Sequence, residues 1–145
     1  MVLADLDTVV ALEKIIFPDP WSYTAFKEHV EDKGWGGFVA ESECGIIGYA
    51  CYYISVMESH LTNIAVTEDF RRKSVAKLLL DNILKVVKEQ KCEFLLLEVR
   101  PSNKSAITFY EKYDFKLLYQ RPRYYRNPLE DALVMVHYFE YDMEE

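Results

Sequence analysis

No apolar run in this chain of 145 residues approaches the roughly 20 needed for a membrane-spanning helix, which excludes an integral membrane protein of that kind. The opening MVLADLDTVV lacks a basic segment and carries two aspartates, so it does not read as a secretory leader. Cysteine is sparse: Cys44, Cys51 and Cys92 are an odd count without metal-ligand spacing, and buried free thiols in a reducing cytosol are expected. His29, His60 and His137 are equally scattered, so no metal site is expected. Positive charge is in deficit, with 17 Lys and Arg against 24 Asp and Glu and a net charge of −7. A global electrostatic grip on nucleic acid is therefore not expected. Neither GxxxxGK[ST] nor GxGxxG occurs, and no repeat, low-complexity tract or Pro/Gly/Ser linker divides the chain.

What is present suits one domain over residues 1–145, acidic and cytoplasmic. Half the residues are hydrophobic and 14% are aromatic, too many for a disordered chain. Leu6, Val9, Val10 and Glu13 to Ile16 keep a helical rhythm behind Asp5 or Asp7, until Pro18 and Pro20 end it. Ser22 is placed to cap a second helix running to about Asp32, and Gly34, Gly36 and Gly37 read as a turn. Strand-like runs follow at Phe38–Glu43, Ile46–Val56 and His60–Val66, the first two joined by a Glu43–Cys44–Gly45 corner. A long helix spans Ser74–Gln90, with Val75, Leu78, Leu79, Ile83, Val86 and Val87 on one face. Phe94–Val99 has the continuous apolar character of a strand covered on both faces. A helix from Asn103 or Lys104 to Lys112 and strands at Lys116–Gln120 and Ala132–Tyr141 complete the order. The strand–helix–strand unit from His60 to Val99 predicts parallel neighbours, and the preceding hairpin makes the sheet mixed.

The strongest chemical signal lies between the third strand and the long helix. Free N–H groups and the positive dipole end at a helix start form an anion site, and Arg71, Arg72 and Lys73 add three cations just before it. On spacing alone, a solvated basic run before an ordinary helix is the favoured alternative. Glu98 ends the apolar strand, where a carboxylate is costly unless it pairs with Arg100, reaches solvent or serves chemistry. Tyr110 can be a core aromatic or a proton donor, and Asn103 a plain N-cap or a ligand contact. The stretch Tyr119–Arg126 interleaves arginine and tyrosine, which suits RNA bases or a peptide mouth. Glu130 and Asp131 can attract a cationic N-terminus or cap a strand entry.

The pattern Arg71-x-x-Ser74-x-Ala76 resembles the acyl-CoA loop, [QR]-x-x-G-x-[GA], of the GCN5-related N-acetyltransferase superfamily, with serine where glycine is usual. Further segments occur in order: Phe17-Pro18-Asp19-Pro20-Trp21-Ser22, His60–Val66, Leu97-Glu98-Val99-Arg100-Pro101-Ser102-Asn103, Ala106-Ile107-x-Phe109-Tyr110-Glu111 and Tyr124-Tyr125-x-x-Pro128-x-Glu130-Asp131-Ala132. Together, from about Asp5 to Phe139, they resemble the RimI-type branch, which acetylates ribosomal-protein N-termini, and its archaeal relatives. The resemblance implies an α/β fold with a mixed sheet of six to seven strands and about four helices. With only Met1 to Leu3 ahead of the first helix, the superfamily's first strand should be vestigial or missing, leaving an exposed edge. Tyr113-Asp114-Phe115 stands where Leu-Gly-Phe is common, and aspartate tolerates the left-handed turn.

The resemblance also implies acetyl-CoA as cosubstrate and a protein N-terminus as acceptor, with a ribosomal protein as partner. Ile64, Ala65, Val66, Arg71, Arg72, Lys73, Ser74, Val75, Ala76, Asn103 and Tyr110 would meet the cofactor. Glu98 would be the general base, its proton affinity raised by burial, and Tyr110 the general acid. Trp21, Tyr124 and Tyr125 would lie on the substrate side. A small-molecule amine acetyltransferase and a non-catalytic acyl-CoA-binding module are the competing readings.

Overall fold

The computed structural model describes residues 1–56 and 58–143; Met57, Glu144 and Glu145 lie outside the described residues. The chain enters through a 3-10 turn, Leu3–Asp5, and then forms α1 (Leu6–Ile16) and α2 (Tyr23–Glu31). Ser22 caps α2 by accepting a hydrogen bond from Ala25 N at 3.1 Å. Strands β1 (Trp35–Ser42), β2 (Gly45–Ile54) and β3 (Ser59–Val66) follow, then α3 (Val75–Glu89), β4 (Phe94–Val99), α4 (Lys104–Glu111), β5 (Lys116–Tyr125) and β6 (Glu130–Tyr138). They build one six-stranded sheet in the order β1-β2-β3-β4-β6-β5, antiparallel except for β3 against β4. Among the described residues no strand precedes α1, and β1 is an edge, as expected from the short stretch ahead of the first helix and in departure from the superfamily's usual pattern. No described helix is long and apolar enough to cross a membrane.

The strand period of two divides the core. Tyr49, Cys51 and Ala65 pack with Leu6, Val9, Val10 and Phe26 on the α1–α2 face. Ala50, Leu61 and Val66 turn the other way, towards Leu79, Leu80, Ile83 and Val87 of α3. In β4, Leu95, Leu97 and Val99 join the α3 face, so Leu96 and Glu98 point to the opposite one. Glycine at position 48 lets α3 sit close, because a Cβ there would lie 3.0 Å from Ala65 O and 3.2 Å from Val75 Cγ1.

Four expectations need correction. Leu78 is 59% exposed and Leu80 is buried in its place, since 100° per residue centres the apolar arc between Leu79, Leu80, Ile83 and Val87. Gly36 and Gly37 belong to β1 rather than to a turn: a Cβ on Gly36 would collide with the Tyr52 ring, and one on Gly37 would lie 2.9 Å from Ala50 O. The Arg/Tyr-rich segment is not a connection but the second half of β5, which tolerates Pro122 because β5 is an edge strand. The thiols are free, but Cys44 is exposed at the β1–β2 corner, and only Cys51 is buried.

Candidate active site between β3 and β4

The parallel pair β3–β4 is closed at one end and open at the other. Its only registered partners are His60 and Leu96, and Ser59 Oγ donates to Phe94 O beside them. Beyond that point the strands separate. Cys51 faces Asn63 while Tyr52 faces Leu61, so Thr62 is an extra residue in β3, and such a bulge re-aims the strand. Thr67 N donates to Ile47 O on the β2 side at 2.9 Å. By alternation, the peptide groups of Ile64 and Val66 face the gap, whereas Ala65 turns to β2 and its side chain is buried.

The loop beyond β3 is wound for close backbone approach. Arg72 (φ 60°) and Ser74 (φ 64°) are both left-handed, and Ser74 directly precedes α3. A left-handed position is where glycine is favoured and where a Cβ costs roughly 1–2 kcal/mol. Ser74 O accepts from Leu78 N at 3.1 Å, which leaves the N–H groups of Val75, Ala76 and Lys77 without intrahelical acceptors. The three cations diverge in use. Arg71 Nε donates to Val66 O at 3.1 Å, tying the loop back to the strand end, and Lys73 Nζ lies 5.2 Å from the Phe70 ring centre. Arg72 is exposed. Free N–H donors, flanking cations and backbone curled away from a cleft fit a pyrophosphate-bearing ligand.

The opposite lip is formed by β4, α4 and the β5–β6 hairpin. Glu98 is one-fifth exposed, and its Oε1 lies 3.6 Å from Arg121 Nη1. Arg100 does not pair with Glu98. It donates to Glu130 Oε1 at 3.3 Å, Pro128 O at 2.9 Å and Arg126 O at 2.8 Å, with its guanidinium 4.4 Å from the Tyr125 ring centre. Tyr124 and Tyr125 meet edge to face at 4.9 Å, and Arg121 covers Tyr124 at 4.7 Å. Burial, then neighbouring Tyr124 and the Glu98 charge, push the Tyr125 phenol well above its ordinary range, against the opposing pull of Arg100. Tyr110 is 6% exposed, packed on Phe115 at 5.6 Å and Phe109 at 5.4 Å. Burial and neighbouring Tyr125 raise its phenol, so the proton stays in place at neutral pH. Tyr110 is thus both a core aromatic and a protonated phenol near the lip. Asn103 caps α4, its Oδ1 accepting from Ala106 N at 3.2 Å.

Glu130 and Asp131 are committed inside the hairpin. Glu130 accepts from Ser102 N and Oγ, each at 2.8 Å. Desolvation alone would raise its carboxyl, but the Ser102 and Arg100 hydrogen bonds outweigh it and hold the group below its usual value. Asp131 accepts from Gln120 Nε2 and Arg123 N, each at 2.9 Å. Across the mouth, Asn127 Nδ2 donates to Asp19 Oδ1 at 2.9 Å, joining the hairpin tip to the α1–α2 connection.

One structural centre beside the site is absent from the sequence reading. Glu13 is 2% exposed and accepts from Tyr49 OH, from Asn63 Nδ2 (3.2 and 3.0 Å to its two oxygens) and from Trp21 N at 3.2 Å. It fastens the loop carrying Trp21 to β3, the strand that bounds the gap. The available signal was a carboxylate at an inward helical position, in step with Leu6, Val9 and Val10. Trp21 itself packs on Phe26 at 5.2 Å and His29 at 5.7 Å.

Residues 6–115 match the model of the acetyltransferase (GNAT) family. The N-alpha-acetyltransferase of Saccharolobus solfataricus is 33% identical over 144 residues, covering 90% of this chain and 86% of that protein. The ribosomal protein bS18-alanine N-acetyltransferase of Escherichia coli is 29% identical over 133 residues, covering 90% and 89%. The crystal structure of the Escherichia coli ribosomal-protein-S18-alanine N-acetyltransferase superimposes with a TM-score of 0.90 at 27% identity, covering 99% of this chain and 94% of that one.

Proposed function

Because this chain belongs to the GNAT family of acetyltransferases, we propose that it acetylates the α-amino group of a protein N-terminus, with a ribosomal protein as substrate. The observation that carries the reading is the cleft between β3 and β4, with an anion-binding loop at the end of one strand and Glu98 at the end of the other. Acetyl-CoA, when bound, supplies the acetyl thioester. The N–H groups of Val75, Ala76 and Lys77, with Arg72 and Lys73, would hold its pyrophosphate. The Val66 N–H facing the gap would meet the thioester oxygen, and Asn103 the pantetheine arm or the phosphates.

Glu98 takes the proton lost by the attacking amine as the new C–N bond forms. Tyr110 gives its phenolic proton to the sulfur as the C–S bond breaks, and regains one from solvent afterwards. Trp21, Tyr124 and Tyr125 line the approach of the peptide. Replacing Glu98→Gln or Tyr110→Phe should slow peptide acetylation by about 100-fold or more, the usual worth of a positioned acid or base. Acetyl-CoA affinity, measured by calorimetry, should change by less than about threefold because neither change touches the loop. Full activity in both variants would contradict these roles; absence of acetyl-CoA binding by the unaltered protein would contradict the function.

A further inference from the structure

We propose that Arg121 is a positioning residue for the acceptor amine: its guanidinium balances the Glu98 carboxylate, so the arriving α-amino group is held as free amine rather than ammonium. The proposal rests on Glu98 lying at the reaction centre. Arg121 comes from edge strand β5, opposite Ala132 of β6, at the point where the β5–β6 register breaks. Its Nη1 lies 3.6 Å from Glu98 Oε1, an ion pair too long for a hydrogen bond, and its side chain is 47% exposed. The Tyr124 ring supports the guanidinium at 4.7 Å, which holds the cation beside the carboxylate.

Among the described residues, the groups around Glu98 are otherwise neutral or engaged elsewhere. Just beyond β4, Arg100 is bound to Glu130, to two carbonyls and to the Tyr125 ring. On β5, the Tyr124 and Tyr125 phenols are raised chiefly by burial and stay neutral. On α4, Tyr110 is neutral for the same reason. On β6, Glu98 faces Val134, while Glu130 and Asp131 are engaged by Arg100, Ser102, Gln120 and Arg123.

A free α-amino group titrates at about 7.7–8.0, so at pH 7 most of it is ammonium and cannot attack. An unbalanced carboxylate 3–4 Å away would favour that unreactive form further; a neutral Glu98–Arg121 pair does not. Half-exposure screens the effect, so several-fold rather than many orders is expected.

The test compares kcat, at saturating N-terminal peptide and acetyl-CoA, from pH 6.5 to 9.5 in the parent, R121M, R121K, E98Q and E98Q/R121M, because the pH profile of kcat reports groups in the enzyme–substrate complex. R121M should fall about fivefold at pH 7 and converge with the parent by about pH 9. R121K should stay within about twofold because the charge is kept. In the E98Q background, adding R121M should produce no such pH-dependent loss. Acetyl-CoA affinity should be unchanged throughout. A loss in R121M that is equal at every pH, no loss at pH 7, or weakened acetyl-CoA binding would overturn the role of Arg121. If E98Q matched the parent rate, the base assignment would fall and this proposal with it, whereas a slow E98Q beside an R121M equal to the parent would overturn Arg121 alone.

Discussion

Ser74 holds a left-handed conformation that glycine adopts without penalty, at the end of the loop that leads into α3. Replacing Ser74→Gly removes that strain but adds unfolded-state entropy, for a net gain of about 0.5 kcal/mol in stability. Calorimetric melting should show a small rise in Tm, and acetyl-CoA should bind at least as tightly once the Cβ is gone. His29 offers a pH test. Burial lowers its imidazole, opposed by the carbonyl of Gly36 at 3.1 Å, which accepts from Nε2, and by the charge of Asp32. Below about pH 6.5 the unfolded chain takes up a proton that the folded chain refuses, so stability falls as pH falls through that window. Melting temperatures from pH 7.5 to 5.5 should decline in the parent and decline less in His29→Gln. The departure at Ser74 is legible in the sequence, as is Glu98 at a strand end. Glu13 is not, because Tyr49 and Asn63 lie 36 and 50 residues away and no local spacing announces a meeting at that distance.

At the scale of elements, two polar anchors set the shape of the mouth. Glu13 joins α1, β2, β3 and the Trp21 loop. Glu13→Ala leaves a buried phenol, amide and N–H without their acceptor and should cost about 3 kcal/mol in denaturant unfolding. Glu13→Gln keeps an acceptor and should cost clearly less; equal losses would show that volume, not hydrogen bonding, matters there. Arg100 fastens the β5–β6 turn to the strand that carries Glu98. Arg100→Ala should raise the KM for peptide several-fold while leaving acetyl-CoA affinity near its original value, because the loop beyond β3 lies on the other lip. The helices and the β3–α3–β4 unit are readable from apolar period and capping residues such as Ser22. The glycines of β1 and the second half of β5 are not. Gly36 is explained only by a tyrosine 16 positions later in the chain, across the sheet at its registered partner Tyr52. Pro122 reads as a break until β5 proves to be an edge.

Over the whole molecule, a sheet that opens between β3 and β4, its only parallel neighbours among the described residues, places the basic loop before α3 opposite a carboxylate, a buried phenol and an arginine–tyrosine rim. Within a chain of net charge −7, Arg71 to Lys73 lie consecutively in the loop on one side, and Arg100 and Arg121 lie with Glu130 and Glu98 on the other. The central claim is transfer of an acetyl group to an α-amine. Its most direct measurement is tandem mass spectrometry of two peptides incubated with the protein and acetyl-CoA, one with a free N-terminus and blocked lysine, the other with a blocked N-terminus and free lysine. The cleft chemistry predicts a single acetyl group on the first peptide's N-terminal nitrogen and none on the second. Acetylation of the lysine alone, or of neither peptide across a panel of N-terminal residues that includes ribosomal-protein sequences, would contradict it.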